Sequence, residues 1–224
     1  EGEMIEFKNH QCDLLVTPNH KMYVRPRGRV FELIPAFESI NWKRAQMKKV
    51  IDYEGDEKQF FVFPEERLRN CKTELVKQIS MDDWLEFFGY YITEGCATLT
   101  KKRRIIEDKE YETSDYRILI AQCNKKNSEN CDKIRACLSR LPFYFGYSGH
   151  QFYINNKQLY SYLKQFGKSH EKYIPRELLN LSKRQLRILF EAMMLGDGNK
   201  KGDAYSSNSI RLITDFQEIA IKLG

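Results

Sequence analysis

The chain opens in short apolar runs separated by polar turns. Met4-Ile5-Glu6-Phe7 and Cys12-Asp13-Leu14-Leu15-Val16-Thr17 flank Asn9-His10-Gln11. Lys21-Met22-Tyr23-Val24 leads into the basic turn Arg25-Pro26-Arg27-Gly28-Arg29. Tyr53-Glu54-Gly55-Asp56 reads as another turn, and Phe60-Phe61-Val62-Phe63 as a strand ending at Pro64. Recurrent turn residues without a long helical period predict a β-rich unit over residues 1–79. The pattern changes near Ser80. Ser80 is placed as an N-cap, with Asp82 and Asp83 in the first turn of a helix that runs to Glu94 and stops at Gly95. Residues 97–106 and 116–122 read as paired strands joined by a charged loop, and 128–141 as a helix. Residues 143–147 and 151–154 read as a hairpin, and 157–166 as a further helix. The order is helix, strand, strand, helix, strand, strand, helix, and the fold class is α+β.

A helix from Ser182 to Gly198 repeats the first one. Phe87-Phe88-Gly89-Tyr90-Tyr91-Ile92-Thr93-Glu94-Gly95 aligns with Phe190-Glu191-Ala192-Met193-Met194-Leu195-Gly196-Asp197-Gly198. Each has a small third residue, an apolar middle, an acid and then glycine, at an offset of 197 − 94 = 103 residues. Small residues let helix backbones approach closely. Leu85, Gly89, Ile92 and Cys96 fall near one face, as do Leu189, Ala192, Met193 and Gly196, so the two helices are expected to pack together. Trp84, Phe87, Phe88 and Tyr91 are then expected to face the sheet of their own half. Glu94 and Asp197 occupy the last helical turns, where the dipole disfavours a carboxylate by about 0.3–1 kcal/mol. Two such acids at matching positions ask for a counter-charge, and a hard divalent cation with oxygen ligands supplies one. A metal held by two carboxylates suits hydrolysis of a phosphodiester.

Composition narrows the partners. With 42% hydrophobic and 30% charged residues, the chain is not a disordered or low-complexity segment. No apolar run of about 18 residues occurs, so no membrane partner is expected. The acidic start Glu1-Gly2-Glu3-Met4 has no signal-peptide character. A net charge of +6 is compatible with nucleic acid. The six cysteines form no C-x-x-C pair, which argues against a zinc site, and they read as reduced thiols of an intracellular, cytoplasmic protein.

These motifs resemble the LAGLIDADG homing endonucleases, in the form embedded within inteins. The two repeated segments carry the resemblance, and the αββαββα order between them matches that family's half-domain. His170-Glu171-Lys172-Tyr173-Ile174-Pro175 resembles the segment that precedes the second motif in intein endonucleases. Leu14-Leu15-Val16-Thr17-Pro18-Asn19-His20-Lys21 resembles the Thr-x-x-His segment of the splicing (Hint) domain. The resemblance implies a partial splicing domain over 1–79 and an endonuclease over 80–224. The first endonuclease half is 80–180, and a truncated second half is 181–224. It implies that Glu94 and Asp197 hold Mg²⁺ or Mn²⁺, that Lys172 assists cleavage of double-stranded DNA, and that Thr17 and His20 belong to splicing. It further implies a monomer with pseudo-twofold halves, flanked by host-protein exteins in a longer precursor. The chain has neither splice junction and is expected to be an internal fragment of a larger intein.

Strand alternation allows about half of Lys101, Lys102, Arg103 and Arg104 to face a DNA groove, with Arg117 on the partner strand and Lys125 and Lys200 as further contacts. Arginine pairs well with guanine edges. The alternatives are a non-catalytic DNA-binding regulator and an RNA maturase of the same fold. A regulator would lack the motif acids, and a maturase would not explain the Thr17–His20 segment.

Overall fold

The computed structural model describes the chain apart from residues 1, 10–11, 27, 42–44, 49–50, 65–74, 107–108, 200 and 203. The protein is mixed α and β, and it divides into two compact units, Glu1–Asp52 and Tyr53–Leu223.

The first unit follows its turn pattern. Strands β1 (Ile5–Asn9) and β2 (Cys12–Val16) form an antiparallel pair, with Ile5 opposite Val16. β3 (Lys21–Arg25) lies between β4 (Glu32–Pro35) and β5 (Gln46–Met47), and the short helix α1 (Ala36–Ser39) follows β4. Alternation buries Met22 and Val24 of β3 with Val16 and Ala36 in a small core.

In the second unit, β6 (Phe60–Val62) pairs with β7 (Gln78–Ser80), which runs into α2 (Met81–Glu94). β8 (Gly95–Ile106), β9 (Lys109–Ala121), α3 (Ser128–Arg140), β10 (Phe145–Tyr147), β11 (Gln151–Asn155) and α4 (Lys157–Leu163) then follow in the expected order. A 3₁₀ turn (Lys164–Phe166) and the short α5 (Arg176–Leu179) precede α6 (Lys183–Asp197) and α7 (Ile210–Leu223). The large sheet has the strand order β10-β11-β9-β8, antiparallel throughout. Ile118, Ile120, Phe152 and Ile154 point into the core. Residues of the opposite parity, Thr98, Lys102, Arg117 and Tyr153 among them, share the outer face.

α2 is apolar around most of its circumference and is correspondingly central, with Trp84, Leu85, Phe87, Phe88, Tyr91 and Ile92 fully buried. Trp84 stacks on Phe61 of β6, with centroids 3.9 Å apart and planes at 7°, so its main aromatic partner is not the large sheet. Phe88 packs edge-on against Phe166, and the Tyr91 hydroxyl donates to Leu163 O at 3.0 Å.

That packing places the unit boundary at Asp52 rather than at residue 79. Phe61, Phe63 and Ile79 belong to the core around Trp84. Residues 53–58 are also strapped to the approach to α6. Tyr53 Oη donates to Leu179 O, Asp56 forms a parallel bridge with Leu181, and Lys58 exchanges two hydrogen bonds with the Gln185 side chain.

Two local expectations are modified, at the β8–β9 hairpin and at Ser80. The β8–β9 hairpin is longer than its apolar residues suggest, because cross-strand ion pairs continue the ladder past the core. The segment 205–209 contributes one bridge, Tyr205 to Gly198, and its last serine caps α7. Ser209 Oγ accepts from Leu212 N at 3.1 Å and donates to Lys172 O at 2.6 Å. Ser80 sits at the N-cap of α2 but makes no side-chain cap bond, whereas Ser182 accepts from Gln185 N.

Candidate active site

α2 and α6 cross at close range, and the contacts fall at one constant offset. A Cβ built on Gly89 would lie 2.5 Å from Ala192 Cβ, and one on Gly196 would strike the Thr93 side chain. The Gln185 amide donates to Asp82 Oδ1 at 3.1 Å. Since 185 − 82, 192 − 89 and 196 − 93 all equal 103, each position meets its own counterpart, as happens beside a twofold axis. Glu94 and Asp197, one residue further along and related by the same offset, end the two helices. Both are half-buried.

Gly95 and Gly198 end these helices, but not in the left-handed conformation common at helix C-termini. Gly95 has φ −100° and ψ 160°, and Gly198 has φ −77° and ψ 152°. Both are extended, and glycine is required by crowding. A Cβ at Gly95 would meet Tyr91 atoms at 2.6 Å, and one at Gly198 would meet Met194.

The two carboxylates interact. Burial raises the Glu94 pKa, the charge on Asp197 raises it further, and the Lys172 ammonium opposes both. Burial likewise raises the Asp197 pKa against the pull of Lys172. Lys172 is only 5% exposed. Burial pushes its pKa down to about 8, although Asp197, Cys96 and Glu94 hold it up. Its Nζ donates to Tyr91 O at 3.2 Å, Thr93 O at 3.3 Å and Gly95 O at 2.7 Å. An ammonium has three donors, and all three are engaged by the terminal carbonyls of α2. In this conformation Lys172 acts on the helix end that presents Glu94.

This donor set suits a magnesium-like cation. The site offers two carboxylates that repel one another, at the negative ends of two helices that pack together. Among the described residues no group of three or more His, Cys, Asp or Glu side chains forms a cage. Mg²⁺ is characteristically held by one or two carboxylates, with water and substrate phosphate completing the octahedron.

The proposed DNA-contacting residues lie mainly along the β8–β9 hairpin. Lys101 pairs with Glu112 at 2.8 Å, Lys102 with Asp115 at 2.5 Å and Arg103 with Glu110 at 3.4 Å. These pairs are solvent-exposed and individually weak, so a phosphate can replace the acid partner. Arg117 is on the same outer face as Lys102. It donates to Asn155 Oδ1 at 3.1 Å and lies over the Tyr153 ring. Arg104 is on β8 opposite Tyr111, but its side chain is outside those described. Lys125 is exposed, and Lys200 lies outside the described residues.

Thr17 and His20 belong to the other unit, Glu1–Asp52. They form a turn in which His20 N donates to Thr17 O at 3.0 Å, while Ala36 N donates to His20 O. Both residues are exposed.

Tyr205 lies outside both repeated segments. It lies beside Gly198 through its bridge, and no repeat or spacing marks it. The 53–58 strap was also missed, because it looks like an ordinary turn.

No family model matches the chain. It is 32% identical over 238 residues to a Chlamydomonas moewusii protein named ATP-dependent Clp protease proteolytic subunit, an alignment covering 100% of this chain and 23% of that protein. It is 29% identical over 226 residues to the DNA-directed RNA polymerase subunit beta C-terminal section of Stigeoclonium helveticum, covering 95% of this chain and 20% of that protein. The chain thus spans between a fifth and a quarter of the length of these curated relatives.

Proposed function

We propose that the chain is part of an intein carrying a LAGLIDADG homing endonuclease, which cleaves double-stranded DNA by divalent-cation-dependent phosphodiester hydrolysis. One observation carries the reading: the constant offset of 103 residues, at which two helices meet small residue to small residue and end in the interacting acids Glu94 and Asp197. A merely structural helix pair has no use for two half-buried carboxylates that repel each other.

The relatives support the same reading. A protease subunit and a polymerase subunit are unrelated machines, yet each contains a segment similar to nearly all of this chain. A segment shared between unrelated hosts and making up a minor part of each has the character of an insertion. The unit Glu1–Asp52, with its Thr17–His20 turn, lies within that shared segment and fits part of a splicing domain.

In this mechanism Glu94 and Asp197 would hold the cation through their carboxylates. The chemistry a bound Mg²⁺ would supply is a water of lowered pKa and charge stabilisation at the phosphate. Lys172 fixes the last turn of α2, so that the Glu94 carboxylate is held rather than frayed. The outer face of β8, β9 and β11 binds the duplex, with Lys102 and Arg117 exchanging Asp115 and Asn155 for DNA groups.

The test is selection from a randomised duplex library in Mg²⁺ buffer, followed by sequencing of the newly formed ends. The reading expects one extended site cut on both strands. Ends indistinguishable from a protein-free control would refute it.

A further inference from the structure

Tyr205 is held tightly at a place the repeat does not account for. Its backbone pairs with Gly198 in an antiparallel bridge, and the neighbouring Ser206 N–H donates to Asp197 O at 3.3 Å. The chain therefore folds straight back along the helix end that carries Asp197. The Tyr205 ring stacks on Phe216 of α7 at 3.9 Å and 14°, and Phe216 stacks on Phe190 of α6 at 4.9 Å and 17°. At the tip of this clamped ring the hydroxyl is buried and, among the described residues, has no hydrogen-bond partner.

An unpaired buried hydroxyl destabilises a fold. Phenylalanine would make the same stack without that cost. The bridge to Gly198 and the Ser206–Asp197 bond hold Tyr205 beside Asp197; burial raises the phenol's pKa, and the Asp197 charge raises it further. Ile120 bridges Gly95 as Tyr205 bridges Gly198, so Glu94 has no equivalent phenol on its side.

Resting on the endonuclease reading above, we infer that Tyr205 is a positioning residue for Asp197: its O–H donates a hydrogen bond to the Asp197 carboxylate when that carboxylate turns to hold a divalent cation. Groups that hydrogen-bond a metal ligand orient it, and losing one weakens the site about 10–100-fold. The orphaned hydroxyl is then a stability cost in the metal-free protein and a gain in the metal-bound one.

The test uses the full chain, with Ca²⁺ as a cation that supports binding without requiring turnover. Calorimetric Ca²⁺ titration and metal-free thermal melting are compared for wild type and Tyr205→Phe. The two readouts are expected to move in opposite senses. Metal-free Tm is equal to wild type or higher by about 2 °C, while Ca²⁺ affinity falls by about tenfold or more. A purely structural tyrosine would lower Tm and would not weaken Ca²⁺ selectively. An unchanged Ca²⁺ affinity, or a lowered metal-free Tm, overturns the inference and leaves the endonuclease reading standing if Asp197→Asn still abolishes binding. A wild-type chain that takes up no Ca²⁺ overturns both.

Discussion

Gly89 of α2 and Ala192 of α6 meet face to face, each the third residue of its own motif. The fit leaves no room for a methyl on Gly89, since its Cβ would sit 2.5 Å from that of Ala192. Helix propensity alone favours Gly89→Ala by about 0.5–1 kcal/mol. We expect the opposite sign here. Overpacking of this kind costs about 1–3 kcal/mol, or a Tm loss of about 2–4 °C per kcal/mol in a chain this size. Adding Ala192→Gly should recover most of the loss, because the two side chains share one space. Thermal melts of the two singles and the double give the coupling, and additive effects would show that the helices are not packed here.

Lys172 stabilises the end of α2 while bearing the cost of its own burial. Lys172→Met removes all three donors to Tyr91, Thr93 and Gly95 carbonyls. A loss of about 1–3 kcal/mol is expected from the unpaired carbonyls, and arginine should not restore it, because its planar fork does not match a helix end. Lys172 should also contribute a stability that grows between about pH 8, where the folded lysine deprotonates, and its ordinary value of 10.5. In that window the unfolded chain holds the lysine proton that the folded chain has lost, so this contribution rises with pH. The raised Cys137 and tyrosine pKa values are common to both proteins, so the denaturant midpoint of wild type relative to Lys172→Met should rise across that range.

The paired acids carry the reverse dependence. Both Glu94 and Asp197 have folded pKa values above their ordinary ones. Their contribution to stability is present below the ordinary carboxylate range and is lost as pH rises through the folded values. A cation binds the ionised form, so Mg²⁺ should raise Tm most where the metal-free protein has lost that stability. Melts with and without Mg²⁺ should diverge as pH rises from 4 toward 7 and coincide at the acid end. A Tm shift independent of pH would mean that Mg²⁺ binds elsewhere.

Residues 53–79 decide whether the second unit folds. A chain beginning at Tyr53 retains Phe61 and Phe63 against Trp84, and the Lys58–Gln185 pair of bonds. It should unfold cooperatively. A chain beginning at Ser80 exposes the Trp84 face and should melt without a cooperative transition. Fluorescence of Trp84, moving from buried to wet, reports the difference.

The parts of the fold written in local periodicity were legible, and the parts written in long-range pairing were not. α2 and α6 could be placed because their apolar period and glycine stops are local, and the close approach at Gly89 followed from its lack of a side chain. The length of β9 was hidden, because Glu110 and Glu112 look like a solvated loop until they are set opposite Arg103 and Lys101. The strap at 53–58 was hidden for a related reason: its hydrogen bonds go to residues more than 120 positions away. Of the candidate site, Glu94 and Asp197 were named from the repeat and Lys172 from the resemblance, and the electrostatics couple the three. Tyr205 was not, because nothing in Tyr205-Ser206-Ser207 distinguishes a buried phenol from a turn.

The central claim is that Glu94 and Asp197 form one cation-dependent hydrolytic centre. The most direct test is Mg²⁺-dependent cleavage of the selected DNA site by wild type, Glu94→Gln and Asp197→Asn, with folding verified by melting. Each variant should fold and bind the duplex, yet cleave at least about a hundredfold more slowly, since losing a metal ligand costs more than losing its support. Cleavage by either variant at the wild-type rate would contradict the account.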